Sequence, residues 1–396
     1  MNGGNMTITR RTAVAGFAAG AGLAFSGRAW AQLPLPKSPV VVTVVDVAGN
    51  LALTQKAIEA YRRAKPGIVS RFAFTKAPAP ELPSKLKAQQ VAGRVDIDLV
   101  LTGTDGIAAG IEQKLWIDLK PHAGQLPKPA DIYQPAALRL NRLAQDQGLC
   151  VAWYPSGPLI EYMPERVKTV PTTADELLAW ARQNKGKFMY ARPANSGPGR
   201  TWIMGLPYIL GDTNPADPDK GWDKTWEYLK AIGETVDYYP GGTSQTMKEL
   251  GEGSRDIVVS TTGWDINPRV LGVVPAEARV GSLKNFRWVA DAHYMAVPRG
   301  VPEEKLAVVL DLMAFLLQPP QQAYTYDEGY FYPGPAVKGV TLDMAPPESR
   351  AALKEFGRPE YDRMIAETPI EMPLDADKLV VAFRRWDEQV GSGKKR

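Results

Sequence analysis

The chain has one cysteine, Cys150, and two histidines, His122 and His293, among 396 residues. A single cysteine excludes an intrachain disulfide and any metal site built from several thiolates. Two histidines leave few groups for acid–base or zinc chemistry. An excess of one charge is lacking too: 47 basic residues face 43 acidic ones, and no nucleic-acid footprint results. Beyond the first thirty residues no stretch reaches the about 18 uncharged apolar positions that a spanning helix needs. An HExxH pair, a phosphate loop ending Gly-Lys-Ser/Thr and a paired-cysteine motif are also missing. What is there is an ordinary soluble composition, 44% hydrophobic and 23% charged, long enough for two or three cores. The balance favours binding over catalysis.

Residues 1–31 read as an address. Thr9, Arg10 and Arg11 precede an apolar run from Ala13 to Phe25, and Ala29-Trp30-Ala31 makes a small-x-small cleavage site. The arginine pair resembles a twin-arginine export signal, although Thr12 and Ala13 stand where that motif carries a bulky apolar residue. The expectation is a protein exported across the cytoplasmic membrane to the periplasm. Removing this segment leaves 44 basic against 43 acidic residues, a nearly neutral chain.

Strand and helix patterns then alternate. Val40–Val45, Val69–Phe74 and Ile97–Leu101 read as buried strands, with helical spacing over Leu51–Ala64 and Ser84–Ala92. A second set follows Cys150: strands at Val151–Tyr154, Lys187–Ala191 and Asp256–Ser260, and helices opening at Thr172 or Thr173, after Arg200 and at Gln245. Glu303–Gln318 is an amphipathic helix. Repeated strand–loop–helix units predict α/β lobes with largely parallel sheets.

The order of motifs resembles the extracellular solute-binding proteins of ABC importers, nearest to the polyamine and iron binders. The residues that carry this are Leu312-Met313-Ala314-Phe315-Leu316-Leu317-Gln318-Pro319 with Gln322-Ala323, then Gly329-Tyr330, Tyr332-Pro333 and Ala336-Val337. Lys85–Gln89 before Asp96–Leu101, Val151–Tyr154, and Thr173–Leu177 before Lys185–Phe188 fit in the same order. The resemblance implies a two-lobed type II binding-protein fold with a hinge and a cleft that closes on ligand. It divides the chain into lobe one at 38–150 plus about 290–340, lobe two at 151–289, and a C-terminal helical segment at 341–396 packing on both. It further implies a monomer that hands a small-molecule solute to a membrane permease, with no cofactor, no metal and no nucleic acid.

Ligands of open α/β sheets sit at loops beyond the carboxyl ends of strands. Four such loops are readable: Asp46–Asn50, Thr102–Gly106, Asn195–Arg200 and Thr261–Asp265. In the third, Ser196 and Gly197 open a helix whose positive end and Arg200 suit a carboxylate or phosphate; Trp202 in the third glycine position excludes a dinucleotide fingerprint. Trp264 and Asp265 match in position a Trp-containing cleft segment of the polyamine binders, and an indole face beside a carboxylate suits an ammonium group. Asp46 and Asp105 offer further carboxylates, while Thr262, Tyr294 and Tyr330 complete the candidate set. Amine-leaning and anion-leaning groups together point to an amine, a polyamine-like solute or a zwitterion. Tyr238-Tyr239 resembles the paired tyrosines of iron binders but is followed by Pro240-Gly241-Gly242 instead of the expected strand–helix context.

Two other readings stand beside this one. Ser244 lies in a near miss to a nucleophile elbow, with Thr246 in place of the last glycine, which would make a secreted hydrolase. A binding protein serving a membrane sensor would use the same cleft as one serving a permease.

Overall fold

The computed structural model describes Met1 and residues 33–47, 49–77 and 81–394; the export-signal reading lies outside the described residues, as do Ala48 and Pro78–Pro80. Among the described residues eleven strands form two sheets. In chain order they are β1 (Val40–Asp46), β2 (Val69–Lys76), β3 (Leu99–Gly103), β4 (Leu149–Gly157), β5 (Leu159–Tyr162), β6 (Phe188–Met189), β7 (Ile257–Ser260), β8 (Arg279–Gly281), β9 (Trp288–Ala296), β10 (Gly334–Pro335) and β11 (Ile370–Glu371). The first sheet has the order β10-β4-β9-β3-β1-β2, with β11 beside β9; the second has β6-β7-β5-β8.

Neither sheet is largely parallel. The strands β1, β2 and β3 pair in parallel, as repeated strand–helix units require, but β9 runs antiparallel to both β3 and β4. The reason is connectivity. β4 leaves the first sheet and continues as β5 in the second, and the chain comes back from β8 as β9, so outgoing and returning strands lie head to tail. Both are nine residues long and buried at every position, which is why Cys150–Tyr154 and Trp288–Ala296 carry near-continuous apolar runs rather than an alternating pattern.

Two main cores result. Val44, Leu99, Val100, Met295, Leu310 and Leu312 fill the one beneath the first sheet. Phe188, Tyr190, Trp202, Trp226 and Leu229 fill the one beneath the second. The helix Ala376–Trp386 joins this second core through Leu379, Ala382 and Trp386, and the same cluster takes in Ala108 from the helix Thr104–Glu112 beside the first sheet. Trp386 meets Tyr190 and Tyr239 at ring centroid distances of 6.1 and 4.9 Å. Tyr238-Tyr239 is therefore structural: Tyr239 stacks in this core, and the Tyr238 hydroxyl bonds to Glu249. No helix among the described residues is long and apolar enough to cross a membrane.

Local signals account for the helix starts. Thr173 caps the helix Ala174–Gln183 in a reciprocal box with Glu176. Ser196 accepts from the Gly199 amide to cap Gly197–Leu210, and Thr261 accepts from Trp264 to cap Thr262–Val270. Three segments read from sequence as loops are thus first helical turns: Thr104-Asp105-Gly106, Gly197–Arg200 and Thr262–Asp265.

Candidate functional site

The carboxyl end of β1, the middle of β4 and β9, and the starts of four helices converge on a chamber of about 270 Å3. Val47 and Gly49 follow β1; Asp105 stands in the first turn after β3; Tyr154, Asp291 and His293 come from the paired strands β4 and β9. Asn195, Ser196, Gly197 and Arg200 come from one helix start, Gly242, Thr243 and Ser244 from the next, and Trp264 from the last. Tyr330 and Phe331 close the remaining side.

Asp291 is the centre of the polar network. Its Oδ1 accepts from the Thr104 hydroxyl at 2.6 Å and from the Ala292 amide at 2.9 Å. Its Oδ2 accepts from Arg200 Nη2 at 2.7 Å and from the Tyr154 hydroxyl at 3.4 Å. Arg200 also approaches Asp105 Oδ2 through Nη1 at 3.4 Å. All three charged side chains are buried. Burial by itself would lower the Arg200 pKa, but attraction to Asp291 and then Asp105 outweighs it and holds the guanidinium charged. Burial raises the Asp105 pKa against the pull of Arg200, with Asp291 adding like-charge repulsion.

Three buried polar atoms in this chamber have no hydrogen-bond partner among the described residues: Asp105 Oδ1, Arg200 Nε and His293 Nδ1. Unpaired polar atoms in a dry site cost free energy, so atoms of this kind are where an incoming ligand regains most. Burial pushes the His293 pKa down to about 3, which keeps the ring neutral. The helix Thr243–Gly251 lacks a side-chain cap, so its first amides are open to an acceptor at the chamber wall. Gly197 keeps the floor clear, since a Cβ there would stand 2.9 Å from the Tyr154 hydroxyl and 3.5 Å from Asp291 Oδ2.

Of the residues singled out from sequence, Asp105, Ser196, Gly197, Arg200, Trp264 and Tyr330 line the chamber. Arg200 is not a free fork for an anion, because two carboxylates already neutralise it. Asp46 accepts from the Asn50 amide at 2.8 Å and shapes the turn whose neighbours Val47 and Gly49 face the chamber. Three of the expected residues lie elsewhere. Asp265 is fully buried behind Trp264, ion-paired with Arg269 at 3.2 Å and Arg358 at 2.6 Å and accepting from the Tyr361 hydroxyl at 2.7 Å. Tyr294 sits in the first core with its hydroxyl on the Leu140 carbonyl at 3.0 Å. Thr262 donates to the Tyr332 carbonyl at 2.9 Å.

Sequence reasoning missed Asp291, Tyr154 and His293, because the search followed loops and these three are within strands. The available signal was Asp291 itself, the one carboxylate in Trp288–Ala296, a run apolar but for it and His293. Ser244 and His293 share the chamber, but no hydrogen bond joins them, and a ring with so low a pKa is a weak base. Among the described residues no group of three His, Cys, Asp or Glu side chains could hold a metal ion.

Solved structures with this fold include a spermidine/putrescine ABC transporter protein from Listeria monocytogenes, 14% identical, covering 87% of this chain and 99% of that one with a TM-score of 0.59. The periplasmic binding protein AfuA from Actinobacillus pleuropneumoniae, with fructose-6-phosphate bound, is 14% identical over 90% of this chain and 100% of its own, TM-score 0.63. Apo ferric ion-binding protein A from Pasteurella haemolytica is 14% identical over 90% and 99%, TM-score 0.60. These likenesses establish the two-lobed type II periplasmic binding-protein fold. No curated protein sequence matches the chain. The family profile described as bacterial extracellular solute-binding protein matches residues 56–355, and the chain belongs to that family.

Proposed function

We propose that this protein is the solute-binding component of an ABC importer, working in the periplasm as a monomer and delivering its solute to a membrane permease. It is a binding protein and not an enzyme. The solute is small and polar and carries an amine, either polyamine-like or zwitterionic, and the two lobes, 38–150 with about 290–340 and 151–289, close on it about their hinge. The Listeria structure, named for spermidine/putrescine transport, agrees with an amine.

The observation that carries the reading is the chamber's charge arrangement. One buried guanidinium stands against two buried carboxylates, and Asp105 keeps one oxygen unpaired. An ammonium donor supplies the missing partner for that oxygen. Across the chamber the uncapped helix start at Thr243 offers amides to an acceptor, which favours a solute with an acidic or hydroxyl group as well. Trp264 and Tyr330 add ring faces for cation–π contact.

Calorimetric titration with amines, polyamines, amino acids, carboxylates and sugars tests this. The expected result is micromolar or tighter binding confined to solutes with an ammonium group and weakened at least tenfold in Asp105→Asn. A full panel without binding, or binding only to anions, overturns it.

A further inference from the structure

Among the described residues that line the chamber, Asp105 and Asp291 are the only carboxylates. Asp291 is fully engaged, its two oxygens taking donors from Thr104, Ala292, Arg200 and Tyr154. Asp105 faces Arg200 through Oδ2, and its Oδ1 has no hydrogen-bond partner among the described residues. One open carboxylate oxygen serves one ammonium group. A second ammonium, such as a diamine or polyamine carries, meets no second open carboxylate in the chamber. Trp264 and Tyr330 offer it ring faces but no counter-charge.

The opposite wall is built of donors. Four helix starts reach the chamber, and they are not equivalent. Ser196 and Thr261 cap two of them, and the third, Thr104–Glu112, carries Asp105 in its own first turn. The helix Thr243–Gly251 has neither a side-chain cap nor an acidic residue in its first turn. Gly242 before it has no side chain to offer, and the Thr243 hydroxyl is engaged with Ser196 Oγ at 2.7 Å. This start therefore presents its positive end to the chamber with its amides still to be answered. A separate observation points to the same kind of ligand group. Arg200, 5% exposed, lines the chamber with both terminal nitrogens toward carboxylates, and its Nε has no hydrogen-bond partner among the described residues.

We infer that the solute is a compact zwitterion of the amino-acid class, bound in one orientation. Its single ammonium group lies on Asp105, at the first sheet, and its single carboxylate lies on the helix start at Thr243 and on Arg200, at the second. One open acceptor and one open set of donors select one charge of each sign. The inference rests on the capture of an amine by Asp105 proposed above, and it narrows that reading by admitting amino acids and excluding polyamines. A chamber of about 270 Å3 sets the scale of the solute. Bound this way, the solute joins groups carried by different sheets, which neither an amine nor an acid alone would do.

Calorimetry on the purified protein tests this with four straight-chain probe series of two to six carbons: α-amino acids, ω-amino acids, α,ω-diamines and α,ω-diacids. At least one amino acid should bind about tenfold or more tightly than the diamine and the diacid of its chain length, the loss expected when a charge-assisted hydrogen bond goes unmade. Ser244→Asp places a carboxylate at the helix start, on an exposed side chain in a first turn that suits an acidic residue. It should weaken the amino acid about tenfold or more, and Ser244→Ala, which adds no charge, should weaken it less. Asp105→Asn should weaken amino acids and any diamine alike. Diamines that bind as tightly as amino acids overturn the zwitterion, as does an amino-acid affinity that Ser244→Asp leaves unchanged; either result leaves the amine reading standing. Binding by diacids alone, or by no member of any series, overturns both.

Discussion

Arg200 donates to Asp291 at 2.7 Å across a space that solvent barely reaches, tying a helix of the second core to a strand of the first sheet. Deleting Arg200 strands two carboxylates in a low-dielectric site, and deleting Asp291 leaves the guanidinium with Asp105 alone at 3.4 Å. Arg200→Ala is expected to lower the unfolding free energy by roughly 3–5 kcal/mol, and Asp291→Ala by a similar amount. The pair Arg200→Met with Asp291→Leu should lose less than the two single losses together, because only Asp105 then lacks its counter-charge and burial already favours its neutral form. Urea unfolding of the four proteins measures this; additive losses would show that the two groups are not coupled.

Trp264 and Asp265 are neighbours in sequence with different work. Trp264→Ala should weaken solute binding by about 1–3 kcal/mol with little change in melting temperature. Asp265→Asn should lower stability by about 3 kcal/mol or more, since Arg269 and Arg358 lose their shared counter-charge. Thermal unfolding alongside calorimetry separates the two, and equal melting temperatures for both variants would contradict the assignment.

Glu161 and His293 set opposite pH slopes. Burial, with repulsion from Asp265, raises the Glu161 pKa from 4.5 to about 8, so its contribution to stability is complete below pH 4.5 and is lost as pH rises to 8. Burial lowers the His293 pKa from 6.5 to about 3, so its contribution is complete above pH 6.5 and is lost as pH falls toward 3. Of these two groups, only Glu161 acts between pH 6.5 and 8. Glu161→Gln should therefore flatten the decline there and exceed the parent by on the order of a few kcal/mol at pH 8. Denaturant midpoints taken across that window decide it; parallel curves for parent and variant would remove Glu161 as the cause.

Cys150 is fully buried and burial raises its thiol well above the ordinary range. Thiol reagents at pH 8 should leave the folded protein unlabelled over hours and modify one site per chain in denaturant. Rapid labelling without denaturant would mean that β4 opens far more readily than its packing implies.

Elements close to a local signal could be read from sequence, and the site could be read only where it touched such an element. Ser196 and Thr173 are caps, and caps leave a mark in sequence. Arg200 and Asp105 stand in the first helical turns that follow strands, where a search for ligand groups begins. Asp291 does not; its place beside Arg200 depends on β9 returning antiparallel to β4, a long-range pairing that no local pattern encodes. Asp265 shows the converse error. Read as part of a loop, it would point with Trp264; on a helix, adjacent residues diverge by about 100°, so one ring faces the cleft and the carboxylate turns into the protein.

Tyr154 of β4 is the register partner of Asp291 of β9, and these two strands carry the chain out to the second sheet and back. Any turning of one sheet against the other must twist this ladder. On the proposed closure, a solute held by Asp105, next to Asp291, would pull near the fulcrum rather than at the end of a lever, so small displacements of its head would translate into large swings at the rim.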